Sequence, residues 1–312
     1  MPFTKFHQHS STEILKTLLT SIVAYVFLLF AAYELSQYSY YWVLALAIPT
    51  HFFHARMFVV MHDCGHFSFI KSRSLNNLVG HITAFFFYTP FLMWRELHNK
   101  HHRYQGNLDR RDQSLDVWTM TTEEFKKTAA LKRTVYRIYR HPVFLFSVAP
   151  VFLFLLIFRV PFESFSKKAV INIIFLDLVL LVLMFGFPGF FVQFIFVQAP
   201  SLLLGFGMAS YLFYIQHQFE GTLWLRDDDF KNSLIAEHGS SYFKLPPFLN
   251  WVYGNIGYHH LHHFDVKIPM YNLPQAQVQY GVEPTAVTLK NSLKCLKLRL
   301  WDESSRKMVG FP

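Results

Sequence analysis

The sequence predicts an all-α integral membrane protein with four transmembrane helices, two membrane-dipping segments and a cytoplasmic helical cap. Of its 312 residues, 52% are hydrophobic and 16% are charged, whereas a soluble domain carries about a quarter charged residues. The apolar residues stand in blocks, and several blocks reach the roughly 20 residues that a helix needs to cross a bilayer. Lys and Arg gather at the block ends that the positive-inside rule assigns to the cytoplasm.

Charge and cysteine content agree with this class. A net charge of +9 is typical of basic residues that flank spans on the cytoplasmic side and contact anionic lipid. No basic stripe lies outside those flanks, so nucleic acid is not an expected partner. Cys64 and Cys295 alone cannot form a disulfide framework, and they favour a reducing compartment. The first apolar run is long and no small-residue cleavage site follows it, so no cleavable signal peptide is evident.

The first two predicted spans are Ile14–Tyr33 and Tyr41–Val60. Their linker, Glu34–Tyr40, contains no Lys or Arg. Basic residues lie at the other ends, at Lys5, Lys16, Lys71 and Arg73. The positive-inside rule therefore places the N-terminus and the end of the second span in the cytoplasm.

Two further apolar segments, Leu75–Trp94 and Pro142–Phe158, have basic residues on both sides. The second is short and contains Pro150. Both are predicted to dip into or lie on the membrane and return to the same side. The backbone freed by such a dip must be buried against protein, because lipid cannot satisfy its hydrogen bonds.

Ile171–Phe187 and Val197–Ile215 form the second pair of spans, joined by the uncharged stretch Phe190–Phe196. Both termini are then cytoplasmic. The predicted organisation is a tail at 1–13, a membrane domain at 14–216 with a cytoplasmic insert at 95–141, and a cytoplasmic cap at 217–312.

Three histidine clusters stand out. They are "HDCGH" with His62 and His66, "HNKHH" with His98, His101 and His102, and "HHLHH" with His259, His262 and His263. With 17 histidines in the chain, one H-x-x-x-H is expected roughly once by chance and one H-x-x-H-H roughly 0.05 times. Two copies of H-x-x-H-H are therefore a specific signal.

These clusters predict a metal site. The topology places all three on one face of the membrane, and spacings of three and four put histidines on one side of a helix. Neutral imidazole is the commonest metal ligand. Eight histidines exceed what one ion can use, so two metals are expected, and imidazole-only sites suit iron, copper or zinc.

With these boxes the chain resembles the membrane fatty acid desaturase superfamily, from about residue 14 to the end. The stretches "HHRYQGNLDRR", "LFYIQHQFEG", "GSSYFKLPPFLNWVYGNIGYHHLHH" and "KIPMYNLP" resemble its bacterial delta-12 (omega-6) acyl-lipid branch. The resemblance implies two iron ions, dioxygen as co-substrate, and His217 in "QHQFE" as a further ligand. The cap that bears the third box would then carry the di-iron site.

The resemblance also implies an activity, namely insertion of a cis double bond into a membrane-lipid acyl chain, at delta-12 of an oleoyl group. Electrons would come from an external donor of the ferredoxin type, since His141-Pro142-Val143 is not the haem motif of fused desaturases. The expected location is the bacterial inner membrane, with the active site facing the cytoplasm.

Other functions remain open at this point. A hydroxylase or carotenoid oxygenase of the same superfamily would share the boxes, because the chemistry diverges only after the first hydrogen is removed. A metal transporter would need polar ligands along a path at the membrane midplane, whereas these clusters lie at one surface. A zinc protease is not expected without H-E-x-x-H.

Polar residues beside the boxes are candidates for orienting the ligands, because metal-bound histidines usually donate their second N–H to a carboxylate or carbonyl. They are Asp63, Glu220, Asn255 and Asp265. An equally good interpretation is that each is a polar residue at the membrane edge.

A few residues have simpler predicted roles. His51 and His54 are expected to make helix–helix hydrogen bonds, and His260 to be at the surface or behind the ligands. Asp177 lies deep in a span with no obvious partner and is expected to be neutral. Phe85–Phe87 are expected to face lipid, and the alternative is that they line an acyl channel.

Overall fold

A computed structural model describes residues 3–113, 116–160, 166–280 and 285–312. Almost all regular structure in these ranges is helical. The α-helices are α1 Ser11–Leu18, α2 Ala24–Ser36, α3 Tyr40–Gly65, α4 Arg73–Phe85, α5 Phe91–Tyr104, α6 Thr122–Lys127, α7 Ala130–Tyr139, α8 Ala149–Leu155, α9 Lys167–Gly186, α10 Pro188–His217, α11 Asn232–His238, α12 Pro247–Val252, α13 His259–Phe264, α14 Leu273–Tyr280 and α15 Leu289–Cys295. The short strands are β1 Met120–Thr121, β2 Tyr242–Lys244, β3 Ala286–Thr288, β4 Leu300–Asp302 and β5 Lys307–Val309.

Within the described ranges, four helical stretches are long and apolar enough to cross a membrane. They are Ser11–Ser36, Tyr40–Gly65, Lys167–Gly186 and Pro188–His217. In the first, a π-helical turn at Leu19–Val23 joins α1 to α2 without a break. The prediction of an all-α membrane protein with four spans is confirmed.

Helix α3 is the centre of the bundle and packs against α2, α4 and α10. From Val59 to Gly65 every residue of α3 is buried, so its C-terminal end is enclosed on all sides. A helix that is apolar all round and buried in this way is a core element. The first histidine box therefore lies in the interior.

The first dip is the hairpin of α4 and α5. Arg95, on α5, donates from Nη1 to Oδ1 of Asn77 near the start of α4, at 2.8 Å. The chain has therefore returned to its starting level by Arg95. The turn is tight because Gly80 faces the Phe91 ring, where an added Cβ would be 2.3 Å from a ring carbon.

The second dip follows α7, and the chain bends there by 61°. At its start Arg140 donates from Nη2 to Gln218 Oε1 (2.9 Å), and at its end the Ser166 backbone N–H donates to Glu96 Oε2 (3.1 Å). Gln218 follows His217 and Glu96 precedes His98, so both ends lie on the histidine side. This agrees with the predicted dip.

Asp177 differs from the prediction. Its Oδ1 accepts a hydrogen bond from Nε of Arg159, within the returning part of the second dip, at 2.8 Å. No sequence pattern pairs the two residues, because the second dip places Arg159 beside α9 from another part of the chain.

The cap consists of short helices and two small sheets. β4 pairs in parallel with β1 and antiparallel with β5, and β2 pairs in parallel with β3. The N-terminal segment packs onto this cap, with Phe3 and Phe6 buried against Leu261 of α13. Asn272 Nδ2 donates to the carbonyls of Phe6 (2.8 Å) and Gln8 (2.9 Å). Residues 3–8 thus form a strap across the cap.

Candidate metal centre

Four helices deliver the nine predicted histidines to one place. Box one ends α3, box two occupies the last two turns of α5, His217 is the last residue of α10, and box three forms most of α13. All four helices therefore present their histidines at helix ends that meet under the cap.

The nine histidines fall into two groups, and the ligand nitrogens of each group lie within 4.8 Å of one another. The first group is His62, His66, His98, His102 and His262; the second is His101, His217, His259 and His263. The split follows helical geometry, because residues four apart share a face, whereas adjacent residues such as His262 and His263 point about 100° apart around the helix. Each H-x-x-H-H box therefore serves both groups.

The nitrogen spacing fits metal binding. Within the groups, Nε2 to Nε2 distances are 3.1 Å for His98–His102, 3.1 Å for His102–His262, 3.1 Å for His217–His259, 3.0 Å for His259–His263 and 3.4 Å for His101–His263. Two imidazole nitrogens about 2.1 Å from a shared ion lie about 3.0 Å apart at a right angle and about 3.4 Å apart at the tetrahedral angle. Shared ions would produce these spacings.

Two buried nitrogens point to the same conclusion. His62 Nε2 and His66 Nε2 are inaccessible to solvent and have no hydrogen-bond partner among the described residues. An unsatisfied buried polar atom is costly, and a metal ion would satisfy both. The residues present therefore fit the group that the boxes imply.

The electrostatics keep the ligands neutral. Burial lowers the pKa of His98, His102 and His262 well below the usual histidine value, and the neighbouring imidazoles lower it further. A buried imidazolium among other imidazoles is disfavoured both by desolvation and by like-charge repulsion. The lone pairs needed for metal binding are therefore free at neutral pH.

Acceptors behind the rings orient the ligands. His101 Nδ1 donates to Asp116 Oδ1 at 2.5 Å, and His217 Nδ1 donates to the Gly239 carbonyl at 3.1 Å. His62 Nδ1 lies 3.2 Å from Asp63 Oδ1. Each bond places the proton on Nδ1 and directs the Nε2 lone pair into the centre.

Asp116 is a residue that the sequence analysis missed. It follows His101 by fifteen residues, whereas the predicted orienting residues are sequence neighbours of the histidines. No local pattern marks it, because the loop after α5 returns it to the centre.

The four predicted orienting residues have different surroundings. Besides its contact with His62, Asp63 accepts from the Met270 N–H at 2.6 Å, and Asn255 donates to the Met270 carbonyl at 3.0 Å. Asp265 accepts from His7 Nε2 at 2.7 Å, and Glu220 is exposed. Their roles at the metal centre remain predictions.

The other internal histidines lie outside both groups. His54 Nε2 donates to the Phe86 carbonyl at 3.2 Å, which confirms a bond between helical segments. His51 Nε2 lies 3.4 Å from the Tyr253 hydroxyl. His260 is buried and bonds Gln277 at 2.9 Å, which excludes the surface position. Its other predicted position, behind the ligands, stays a prediction.

An apolar cavity of about 580 Å³ leads from the membrane region to the histidines. Its walls are α3, α5, α10 and the second dip, and four ring ligands border it: His62, His98, His101 and His259. Trp94 stacks on His98 with ring centroids 4.7 Å apart. Phe87 lines this cavity and is buried, so the expectation that it faces lipid is wrong.

Comparison with known sequences identifies the family. The sequence model of the family "Fatty acid desaturase" matches residues 37–285. The chain belongs to the fatty acid desaturase family. This desaturase is therefore an oxidoreductase and an integral membrane protein, as the sequence predicted.

Relatives of the desaturase occur in bacteria, including cyanobacteria, and in plants. It is 34% identical to a fatty acid desaturase of Bacillus subtilis over 98% of this chain and 88% of the relative. It is 30% identical to an sn-1 acyl-lipid omega-3 desaturase (ferredoxin) of Nostoc over 83% of this chain and 70% of the relative. It is 29% identical to an sn-1 oleoyl-lipid 12-desaturase of Picosynechococcus over 70% of this chain and 63% of the relative.

Proposed function

We propose that the two histidine groups hold two iron ions and that the protein is an oxygen-dependent acyl-lipid desaturase. It inserts a cis double bond at delta-12 of an oleoyl group. The observation that carries the proposal is the convergence of nine histidine nitrogens, in two groups, on one end of an apolar cavity. The five-histidine and four-histidine groups would hold one iron each.

When bound, the iron pair supplies the oxidising chemistry, drawn from dioxygen and two electrons, that removes hydrogen from unactivated methylenes. The residues of the protein bind and position the substrate and orient the metal ligands. The apolar lining excludes water and binds a methylene chain. Trp94, stacked on His98, forms a flat wall beside the reacting carbons, and Asp116 keeps His101 in one orientation.

The substrate class is argued from the cavity lining. No Lys or Arg is among the described residues that line it, so neither a carboxylate nor a phosphate would find a cation inside. An esterified chain, with its headgroup left outside, fits such a lining. The names of the Nostoc and Picosynechococcus relatives specify acyl-lipid and oleoyl-lipid substrates, which supports the same class.

Charge supports both the proposed electron donor and the proposed orientation in the membrane. A net charge of +9 would attract an acidic carrier such as ferredoxin, and the name of the Nostoc relative specifies ferredoxin. With the basic flanks inside, the histidines would face the cytoplasm from the bacterial inner membrane.

The test is fatty acid methyl ester analysis by gas chromatography–mass spectrometry. A bacterial host supplied with oleate would express the wild type, His101→Ala or His238→Ala with a matched ferredoxin system. His238 is exposed and lies outside both groups, so its variant controls for loss of a histidine. We expect linoleate from the wild type and His238→Ala, and none from His101→Ala. A hydroxylated product would instead favour a hydroxylase, and no acyl product from iron-loaded protein would refute the proposal.

A further inference from the structure

The apolar cavity is closed at the end away from the histidines. Phe87, Gly205 and Phe206 line it there, and the two phenylalanines are 2% and 1% exposed. Elsewhere the cavity reaches the surface beside the second dip, where the lining residue Phe152 is 53% exposed. The cavity therefore has an open side and a blind end.

His54 forms the back of this blind end. Its ring stacks on Phe87 with centroids 4.1 Å apart and an interplanar angle of 11°. It also faces Gly205, where an added Cβ would lie 3.2 Å from His54 Nδ1. Because Gly205 has no side chain, the cavity extends to this level and stops at the Phe87–His54 pair.

A buried polar network fixes His54. Its Nε2 donates to the Phe86 carbonyl, which also accepts from Gln198 Nε2 at 3.2 Å. Gln198 Nε2 also donates to the Tyr25 hydroxyl at 2.5 Å, and the Tyr25 ring stacks on His54 with centroids 5.1 Å apart. Three spanning helices and the end of α4 therefore meet behind Phe87. Polar groups at such depth are costly and give the floor a defined position.

The distance from the histidines to this floor determines how many carbons of an acyl chain fit between them. His54 precedes His62 by eight residues, about 12 Å along α3, and Gly205 precedes His217 by twelve, about 18 Å along α10. An extended hydrocarbon chain advances about 1.25 Å per carbon. After a contact distance of about 4 Å is subtracted, roughly six to eleven carbons fit. A delta-12 bond in an eighteen-carbon chain joins C12 to C13, so six carbons, from C13 to C18, extend from the bond to the methyl end.

We propose that Phe87, held by His54, is the specificity-determining floor of the acyl cavity and that the double bond is counted from the methyl end. This rests on the proposed function, because an esterified chain can enter a blind cavity only methyl end first. The chain stops when its methyl group meets Phe87. The carbons beside the histidines are then a fixed number of positions from that methyl group.

Two substrates of different chain length test, with the wild type alone, whether the bond position is counted from the methyl end. The host would be supplied with oleate or with cis-9-eicosenoate, and the bond positions determined by mass spectrometry of derivatised methyl esters. We expect the new bond at the same distance from the methyl end in both products. A new bond at a constant distance from the carboxyl carbon in both products would overturn the inference. If neither substrate gave a doubly unsaturated product, the proposed function would be refuted instead.

Variants at the blind end of the cavity test the role of Phe87. Phe87→Leu deepens the blind end and is expected to move the bond one or two carbons away from the methyl end in a measurable share of product. Gly205→Ala makes it shallower and is expected to move the bond the other way. Phe185→Ala, on the 74% exposed side chain of α9, is the control. An unchanged bond position in both folded floor variants would contradict the role of Phe87.

Discussion

The imidazole of His101 donates from Nδ1 to the Asp116 carboxylate at 2.5 Å, across fifteen residues of chain. Both side chains are almost fully buried. A carboxylate in this position raises the basicity of the opposite ring nitrogen and fixes the ring plane. Asp116 thus links the loop after α5 to the second histidine group.

Asp116→Asn should weaken iron binding in the second group while the fold persists. The amide keeps the size of the carboxylate but lacks its charge, and losing such an outer contact typically costs about 10- to 100-fold in metal affinity or activity. The measurement is iron release to a chelator together with oleate turnover. Asp112→Asn, on an exposed residue of the same loop, is the matched control. Equal chelation rates in both variants would show that Asp116 does not support the metal.

Neighbouring histidines of box three should act on different ions. His262 belongs to the first group and His263 to the second, whereas His259 and His263 share the second. We expect His259→Ala with His263→Ala to remove about one iron per chain, and His262→Ala with His263→Ala to remove about two. Iron would be counted by mass spectrometry on monodisperse protein. If both pairs lost the same amount of iron, the division into two groups would be wrong.

The N-terminal strap should hold box three in place. Phe6 is 7% exposed and packs in one cluster with Leu261, which lies between the box-three histidines. Phe6→Ala should loosen α13, since truncating a buried phenylalanine typically costs about 3–5 kcal/mol. Hydrogen exchange of peptides from α13 should then accelerate. Phe30→Ala, at an exposed site on α2, should leave that exchange unchanged, and unaltered exchange in Phe6→Ala would contradict the strap.

Arg159 and Asp177 should stabilise the membrane domain only when both are present, because either charge alone lacks its partner. Asp177 lies ten residues inside α9, about 15 Å from its start. Asp177→Leu leaves the Arg159 charge without its partner, and a lone Arg at a span centre costs roughly 2.5–3.5 kcal/mol. Thermal unfolding in detergent should show this loss and its recovery in the double variant with Arg159→Leu. A double variant no more stable than Asp177→Leu would contradict this account.

Spans and ligands were predictable because each has a local signal. Apolar blocks with asymmetric basic flanks predicted the four spans. The spacing of the boxes predicted eight of the nine histidines that the structure brings together, and the resemblance to the family implied the ninth, His217. Both signals depend on residues close in sequence, which helical geometry places on one face.

The features that the sequence did not predict depend on contacts between distant parts of the chain. Asp116, the Arg159 partner of Asp177 and the strap all join residues far apart in sequence. Phe87 looks like any other phenylalanine of an apolar run, and only the packing of α3 and α10 turns it toward the cavity. No composition or period encodes such pairings.

The most direct test of the central claim is the metal content and ligation of the purified wild type. Iron would be counted per chain, and X-ray absorption at the iron edge would identify the ligand atoms. The account predicts about two irons per chain with nitrogen-dominated ligation and no sulfur. About one metal per chain, or zinc in place of iron in a preparation that desaturates oleate, would contradict it.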